Sequence, residues 1–257
     1  MRYTITHCKL QKRNIMKISH FISLSLLGLS LTSHSMMAQD SSKAVQKFLK
    51  ENTKLDFKVI SNTQEPLKDA SVIILESPNK ERMALLVSKD GSYIIPLTEG
   101  IATSNGNNAL RASIDGVNKY NKDMKDSKIL ALFKKHSNAV LKIESTKPSK
   151  NTIYMVLDTT CPYCLQEIAH LDDYLKEANL EVLMVGILGQ KAQNRTAGYY
   201  QELQSVKNRD QKIALLKKVF RADYAPKVGN NDLATRISEE SLAAGVQGVP
   251  YIIRTTK

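Results

Sequence analysis

The sequence has no tryptophan and only three cysteines among its 257 residues. It has no basic run interleaved with aromatic residues and no spacing typical of a zinc finger, and these features identify many nucleic-acid-binding domains. The formal net charge of +12 is then the only feature that favours such a partner. Residues 1–38 contain five Lys or Arg and no acid, so subtracting these five leaves +7 for the remainder. We therefore expect a moderately basic protein with no nucleic-acid partner.

The sequence has a single long apolar run, from Phe21 to Leu31, which is about half of the ~20 residues that a membrane-spanning helix needs. Basic residues precede this run, and small or polar residues follow it as far as Ala38. This order is typical of a cleaved secretory signal and argues against a retained anchor. We therefore predict a signal peptide over residues 1–38, with Met16 as an alternative start and Ser35 as an alternative end, and an exported mature protein.

Export reduces the number of cysteines that remain in the protein. Cys8 lies in the predicted signal peptide, so the mature chain retains only Cys161 and Cys164. Two cysteines three positions apart can form a structural clip in an oxidising compartment. A disulfide that closes so short a loop constrains the unfolded chain little, so a redox-active pair is the favoured alternative.

Zinc and haem are the other uses of a closely spaced cysteine pair. Structural zinc takes four ligands, and the mature chain adds only His136 and His170 to the pair. Covalent haem attachment requires a histidine directly after the second cysteine, and that position is Leu165. We therefore expect no metal, and no cofactor other than the redox-active disulfide Cys161–Cys164.

The length of 257 residues and a hydrophobic content of 42% predict two modest domains. In residues 39–112, Ser41 or Ser42 can cap a short helix, and alternating and apolar runs between residues 55 and 96 predict a small sheet. Asp90-Gly91 is a turn signal within it. A sheet of this size has difficulty burying its strands alone, which favours packing against a second copy.

A linker helix is predicted in residues 113–139, with helical spacing over 114–135. Its charge-dense stretch from Lys119 to Lys128 is interpreted as a solvated face and not as a binding site.

A second domain, built around the cysteine pair, is predicted over residues 140–257. The apolar run from Ile153 to Leu157 ends just before Cys161, and Leu180 to Leu188 reads as a second buried strand, so a β-α-β unit spans the pair. A helical insertion at about 190–245 separates this unit from a final strand. The helical stripe after the pair consists of Leu165, Ile168, Leu171 and Leu175. The insertion is broken near Asn208-Arg209, at Ala225-Pro226 and at Gly229-Asn231, and the final strand is Tyr251-Ile252-Ile253.

The position of Cys161 at the start of a helix defines the chemistry of the pair. Unpaired backbone N–H groups and the positive end of the helix dipole stabilise a thiolate there, so the pKa of Cys161 should fall. Pro162 suits the first helical position because its φ is already helical and its missing N–H would have had no partner. Cys164 lies one turn deeper. We therefore predict that Cys161 is the nucleophile and that Cys164 resolves the mixed disulfide.

Val249-Pro250 follows Gly248 and precedes a strand. A proline in this place usually marks only a turn. In a thioredoxin-like fold it is a cis proline that faces the cysteine pair, and a cis bond before proline is uncommon enough to have a purpose. We assign Val249 and Pro250 to substrate binding, because their backbone groups would be presented to an extended polypeptide.

These residues resemble the DsbC/DsbG group of bacterial periplasmic disulfide interchange proteins. The resemblance is carried by Asp158-Thr159-Thr160-Cys161-Pro162-Tyr163-Cys164, by Gly248-Val249-Pro250 and by the hairpin Lys89-Asp90-Gly91-Ser92-Tyr93. The order of signal, small sheet domain, linker helix and thioredoxin domain also matches over the mature chain. The resemblance implies an α+β fold, in which a thioredoxin-like catalytic domain with a helical insertion follows a small sheet-rich dimerisation domain and a linker helix.

The resemblance also implies a periplasmic thiol:disulfide interchange enzyme that forms and reshuffles disulfides. Its partners would be a second copy of the chain in a V-shaped homodimer, unfolded or misoxidised exported proteins, and a membrane redox protein of the DsbB or DsbD type. The alternative is a dimeric chaperone-like binding protein with little redox activity. Seven residues follow Pro250, whereas family members continue through another strand and a helix, so the C-terminus is expected to be truncated and a strand edge uncovered.

The balance between oxidation and reshuffling is a further expectation from the resemblance. A dimeric cleft favours reshuffling, because it can hold a misfolded chain while mixed disulfides form and resolve. The dipeptide Pro162-Tyr163 and an apolar Val249 in place of a hydroxylated residue both occur among relatives that act as oxidants. We expect a bifunctional protein that leans towards oxidation.

Overall fold

The computed structural model describes residues 41–63, 69–98, 108–228 and 231–256. The predicted signal peptide and residues 1–40 as a whole lie outside this part of the chain. The described residues divide into two compact units, whose boundary lies between Asp123 and Met124 within one continuous helix. None of the helices in the described ranges is both long and apolar enough to cross a membrane.

The first unit contains the small sheet that the sequence predicts. Four strands form an antiparallel sheet in the order β1-β2-β3-β4, so β1 and β4 are its edges. Gly91 has a positive φ of 73° in the turn before β4, as the Asp90-Gly91 signal predicts. The elements are α1 (Ser41–Thr53), β1 (Lys58–Thr63), β2 (Ala70–Glu76), β3 (Arg82–Ser88), β4 (Ile94–Leu97) and α2 (Asn108–Lys135).

Both faces of this sheet are covered by helices of the same unit. Ile73 and Leu75 pack with Val45 of α1 on one face, whereas Val72 packs with Ile114 of α2 on the other, because successive side chains of a strand point to opposite faces. The expectation that the sheet cannot bury its strands is therefore wrong. The apolar side chains that stay exposed in the sheet lie near its β4 edge.

Polar contacts fasten the first half of α2 to the β2–β3 hairpin. Glu76 accepts hydrogen bonds from Arg82 Nε and Tyr120 Oη, each at 3.3 Å. The Asn121 side chain bonds both the N–H and the C=O of Arg82 at 2.8 Å. Tyr120 and Asn121 lie within the stretch interpreted as a solvated face, so that interpretation is wrong for the side of the helix that faces the sheet. The helix also begins at Asn108, six residues before the predicted start.

The second unit is a mixed sheet with helices, and it includes the last turns of α2. Its strand order is β5-β7-β6-β8. The central strands β6 and β7 are parallel, and β5 and β8 run antiparallel to their neighbours. The elements are β5 (Leu141–Ile143), β6 (Thr152–Leu157), α3 (Pro162–Ala169), α4 (Leu171–Glu177), β7 (Asn179–Met184), α5 (Gln190–Leu203), α6 (Arg209–Val219), α7 (Asp232–Ala243) and β8 (Tyr251–Thr255).

The helix after the cysteine pair is interrupted at His170, which separates α3 from α4. Its buried stripe begins one residue earlier than predicted. Cys164 and Ile168 are buried one turn apart, whereas Leu165 is 50% exposed, because residues at i and i+4 share a helix face and the neighbouring position points away. The prediction that Leu165 belongs to the same stripe as Ile168 is therefore wrong.

The strand predicted from Leu180 to Leu188 is shorter in the structure, where β7 ends at Met184. Three helices follow it within the described residues, and they are separated near the predicted breaks at Asn208-Arg209 and Ala225-Pro226. Most of the predicted break at Gly229-Asn231 lies outside the described residues. The buried Arg195 of α5 ties these helices together, because its guanidinium donates to the carbonyl of Val219 at 2.7 Å and to that of Arg221.

Candidate thiol–disulfide site

The cysteine pair lies where β6 ends and α3 begins. Cys161 occupies the N-cap position with extended backbone angles, φ −81° and ψ 120°, and Pro162 is the first helical residue. Both cysteines are free thiols and both are buried. The succession of strand, cysteine and helix is the one that the sequence predicts.

The Cys161 sulfur is stabilised as a thiolate. The hydrogen bond from the Cys164 thiol, together with the backbone N–H groups of Cys164 and Tyr163, lowers the pKa of Cys161 to about 6. Burial and the negative charge of Asp158 act in the opposite direction. Among the neighbouring groups, only the Asp158 carboxylate opposes ionisation of Cys161.

The Cys164 sulfur has the opposite preference. Its hydrogen bond to Cys161 and its burial raise the pKa of Cys164 far above the ordinary value of a thiol, and the charges of Cys161 and Asp158 add to this effect. Its sulfur also lies 3.5 Å from the backbone N–H of Asp158, which donates to it. At neutral pH the pair therefore carries one thiolate, on Cys161, and one thiol, on Cys164.

Strand pairing brings Val249 and Pro250 to the pair. β8 runs antiparallel to β6, with Tyr251 opposite Val156, so the residues before β8 lie at the end of β6 that leads to Cys161. The Val249–Pro250 bond is cis, as predicted. The protonated Cys161 Sγ donates to the Val249 carbonyl at 3.2 Å.

Comparisons with known proteins agree with this order of an N-terminal sheet unit followed by a unit that carries the cysteine pair. The family model described as disulfide isomerase DsbG N-terminal matches residues 45–130. The structure of Helicobacter pylori DsbG aligns with 83% of this chain and 100% of its own length, at 22% identity and a TM-score of 0.50. The chain is DsbC/DsbG-like. Its fold is accordingly a thioredoxin-like α+β fold.

Two further solved structures are less similar to the DsbG-like chain. A periplasmic thioredoxin-like protein from Salmonella enterica serovar Typhimurium has 18% identity and a TM-score of 0.38, over 46% of this chain and 79% of that one. Proteus mirabilis ScsC in a transitional conformation has 13% identity and a TM-score of 0.37, over 61% and 88%. No curated protein matches the chain.

The surface beside the pair in the DsbG-like chain is apolar. Tyr163 is 42% exposed and Leu165 is 50% exposed, and both flank Cys164 in α3. The sequence predicts Tyr163 as part of the cysteine motif and Leu165 as part of the helical stripe. An exposed aromatic and an exposed aliphatic side chain therefore lie on either side of Cys164 in the sequence.

The two histidines considered as metal ligands occupy other positions. His136 pairs with Glu240 at 2.8 Å, and His170 lies at the junction of α3 and α4. Across the ranges that the structure describes, no three His, Cys, Asp or Glu side chains converge in a way that could hold a metal ion.

Asp158 and Tyr251 are residues of this site for which the sequence predicts no role. The sequence signal for Asp158 is an acidic residue directly after a buried apolar strand. Asp158 is completely buried and joins the loop before Cys161 to the loop after β7. Tyr251 follows Pro250, and its hydroxyl donates to Asp126 of α2 at 2.6 Å.

Proposed function

We propose that this DsbG-like protein is a periplasmic thiol–disulfide oxidoreductase that forms and reshuffles disulfides in exported proteins through Cys161 and Cys164. The observation that carries the proposal is the asymmetry of the pair, in which Cys161 has a lowered pKa and Cys164 a raised one. The match of residues 45–130 to the DsbG N-terminal domain supports a role in thiol–disulfide exchange.

In the reducing direction, the Cys161 thiolate attacks one sulfur of a substrate disulfide. The new bond joins Cys161 to that sulfur, and the other substrate sulfur leaves as a thiolate. Cys164 then loses its proton and attacks the Cys161 sulfur, which forms the Cys161–Cys164 disulfide and releases the second substrate sulfur. The substrate gains two electrons and the Cys164 proton, and the protein is oxidised by the same two electrons.

The oxidising direction is the reverse of these steps, and it leaves the protein with one thiolate and one thiol. In reshuffling, a second substrate thiolate attacks the mixed disulfide in place of Cys164, so Cys161 is released with no net redox change. A membrane redox protein of the DsbB type would return the pair to the disulfide, and one of the DsbD type would return it to the dithiol.

Substrate contact in this proposal uses Val249, Pro250 and the apolar surface of Tyr163 and Leu165. Once Cys161 ionises or joins a mixed disulfide, its sulfur has no proton to donate. The Val249 carbonyl is then available to a backbone N–H of an extended substrate. The substrate class is therefore unfolded or misoxidised polypeptide.

The test of this function is the exchange activity of Cys161→Ser. We expect wild type in its disulfide form to oxidise a reduced multi-cysteine substrate, and its reduced form to reshuffle a scrambled one. Cys161→Ser should do neither. Suppression of substrate aggregation by Cys161→Ser would indicate a chaperone-like activity beside the redox activity, whereas wild type inactive in both exchange assays would contradict the proposal and leave the chaperone alternative.

A further inference from the structure

The connection between α7 and β8 carries two of the residues assigned to substrate contact. This connection, residues 245–251 with the first residue of β8 included, is called the proline segment. Within it, the Val249 carbonyl accepts from Cys161 Sγ at 3.2 Å, and Pro250 follows. The position of the proline segment therefore decides where a substrate backbone can meet the nucleophile.

The proline segment begins at a tight turn that α2 covers. Gly245 has a positive φ of 102°, and the next N–H, that of Val246, donates to the Ser241 carbonyl at 3.0 Å, a pattern that commonly ends a helix. A Cβ atom on Gly245 would lie 3.1 Å from Lys125 Cδ. The aliphatic part of Lys125 therefore lies against the turn that begins the segment.

The proline segment ends at Tyr251, which contacts the same turn of α2. The Tyr251 hydroxyl donates to Asp126 Oδ1 at 2.6 Å, within the short range of a hydrogen bond from a hydroxyl to a carboxylate. Lys125 Nζ lies 5.0 Å from the centre of the Tyr251 ring, within reach of a cation–π contact. Burial, together with the hydrogen bond to Asp126 and its charge, raises the pKa of Tyr251, so the hydroxyl remains the donor at neutral pH.

Lys125 and Asp126 belong to a part of α2 that is fixed in the second unit. Both are half-buried, whereas Lys128 of the same charge-dense stretch is exposed. Ile129 and Phe133, which share a helix face with Asp126, are buried in the core of this unit. A positioning group on a packed helix holds its partner more precisely than one on a loop.

We propose that Tyr251 and Asp126 are positioning residues, which hold the proline segment so that the Val249 carbonyl can accept a backbone N–H of a polypeptide substrate beside Cys161. Lys125 and Asp126 contact the two ends of the segment, and the carbonyl lies between these ends. The consequence is selectivity, because a disulfide in a polypeptide uses this acceptor, whereas a small disulfide without backbone amides does not. The inference rests on the proposed thiol–disulfide exchange and names residues outside the pair that determine its substrate class.

The test compares Tyr251→Phe with wild type in single-turnover oxidation by two disulfides. One probe is a short extended peptide whose single cysteine is joined to mercaptoethanol, and the other is hydroxyethyl disulfide, which contains the same small thiol and no amide. Each probe oxidises the reduced pair to the Cys161–Cys164 disulfide and is itself reduced to two thiols. The reaction is followed by the loss of the ultraviolet absorbance of the Cys161 thiolate.

For Tyr251→Phe we expect the half-saturating concentration of the peptide to rise about fivefold, the order of a weakened hydrogen bond to the substrate. The limiting rate with the peptide, the rate with hydroxyethyl disulfide and the pH titration of Cys161 should stay unchanged. Asp126→Ala, which removes the acceptor, should reproduce this pattern. The matched control is Tyr224→Phe, because the Tyr224 hydroxyl also donates to a carboxylate, that of Glu202 at 3.2 Å, and its loss should not change the use of the peptide.

Equal losses with the peptide and with hydroxyethyl disulfide would indicate general destabilisation and overturn the proposal, as would equal losses in Tyr224→Phe. An unchanged half-saturating concentration of the peptide in a folded Tyr251→Phe would also overturn it. If Tyr251→Phe does not fold, Asp126→Ala decides by the same criterion.

Hydrogen–deuterium exchange of the proline segment gives a readout that needs no substrate. Exchange in this segment should be faster in Tyr251→Phe than in wild type and unchanged in Tyr224→Phe, since the lost contact anchors the segment locally. A wild-type protein that reacts with neither disulfide would contradict the proposed function, and hydrogen exchange would still decide the positioning. Equal exchange of the segment in wild type and in Tyr251→Phe would overturn it.

Discussion

At the scale of single residues, two sulfurs three positions apart behave differently because they receive different partners. Cys161 accepts hydrogen bonds from the Cys164 thiol and from backbone N–H groups, whereas Cys164 donates to Cys161 and is buried. The asymmetry therefore comes from one hydrogen bond with a fixed direction together with the open N-terminal end of α3.

Alkylation of the reduced protein should report this asymmetry. We expect iodoacetamide to modify Cys161 first, with a rate that is half-maximal at a pH of about 6, since the thiolate is the reacting form. Cys164→Ala removes the hydrogen-bond donor and should move that midpoint to higher pH, and Cys164→Ser, which keeps a donor, should move it less. Mass spectrometry identifies the modified residue, and earlier modification of Cys164 would reverse the assigned roles.

The stability of the reduced protein should depend on pH for the same reason. The pKa of Cys161 is lowered in the folded protein from its ordinary value near 9 to about 6, so between these values the unfolded chain binds more protons. The free energy of unfolding of the reduced protein should therefore rise with pH through this window and fall as the pH returns to about 6. Relative to Cys161→Ser, we expect a gain of about 2 kcal/mol between roughly pH 6 and pH 8 in urea denaturation. Parallel pH profiles of the two proteins would contradict the lowered pKa.

At the scale of secondary-structure elements, the last turns of α2 are part of the second unit. Ile129 and Phe133 are buried in its core, and Lys135 and His136 both pair with Glu240 of α7. One turn earlier, Asp126 accepts a hydrogen bond from Tyr251. The helix therefore contacts the residue that directly follows the proline of the candidate site.

Tyr251→Phe should measure the contribution of that contact. The substitution removes the hydroxyl that donates to Asp126 and keeps the ring, so we expect the free energy of unfolding to fall by about 1–2 kcal/mol, in the range of a partly buried hydrogen bond to a charged group. Tyr93→Phe is the matched control, because Tyr93 is 70% exposed, and it should change stability little. A double-mutant cycle with Asp126→Asn isolates the pair, and a coupling energy near zero would contradict the contact.

At the scale of the whole molecule, the DsbG N-terminal match and the exposed edge of the first sheet favour assembly through the first unit. Helices cover both faces of that sheet, and Tyr93 and Ile95 are exposed at its β4 edge. An edge strand offers unpaired backbone groups that a second chain can use. We therefore predict a homodimer that forms through the β4 edge of the first sheet.

Ile95→Lys should weaken the homodimer. A charge on the exposed edge disfavours pairing with another strand, so sedimentation velocity should show a dissociation constant at least about tenfold higher, the result of roughly 1.4 kcal/mol. Leu55→Lys is the control, because Leu55 is a similarly exposed aliphatic residue outside the sheet. A wild-type protein that is monomeric at micromolar concentration, or equal effects of both variants, would contradict assembly through this edge.

The sequence by itself determined the parts of this protein that depend on neighbouring residues. The apolar run of β6, the proline at the first position of α3 and the three-residue spacing of the cysteines are local patterns, so the strand, the N-cap cysteine and the helix could be predicted together. The family resemblance added the order of domains and the cis proline. The roles of Cys161, Cys164, Val249 and Pro250 in exchange remain predictions for the experiments above.

Only the tertiary structure decided which distant groups meet at the pair. The contact of Cys161 with the Val249 carbonyl spans 88 residues and depends on the pairing of β8 with β6, and the hydrogen bonds to Asp158 depend on the parallel ends of β6 and β7. Sequence periodicity indicates which face of an element is apolar, but it does not specify the neighbouring element or the direction of a hydrogen bond. For that reason the sequence predicts Leu165 in the apolar stripe, Lys119–Lys128 in solvent and no role for Asp158. In the structure Leu165 is exposed, part of Lys119–Lys128 packs against the sheet and Asp158 is buried.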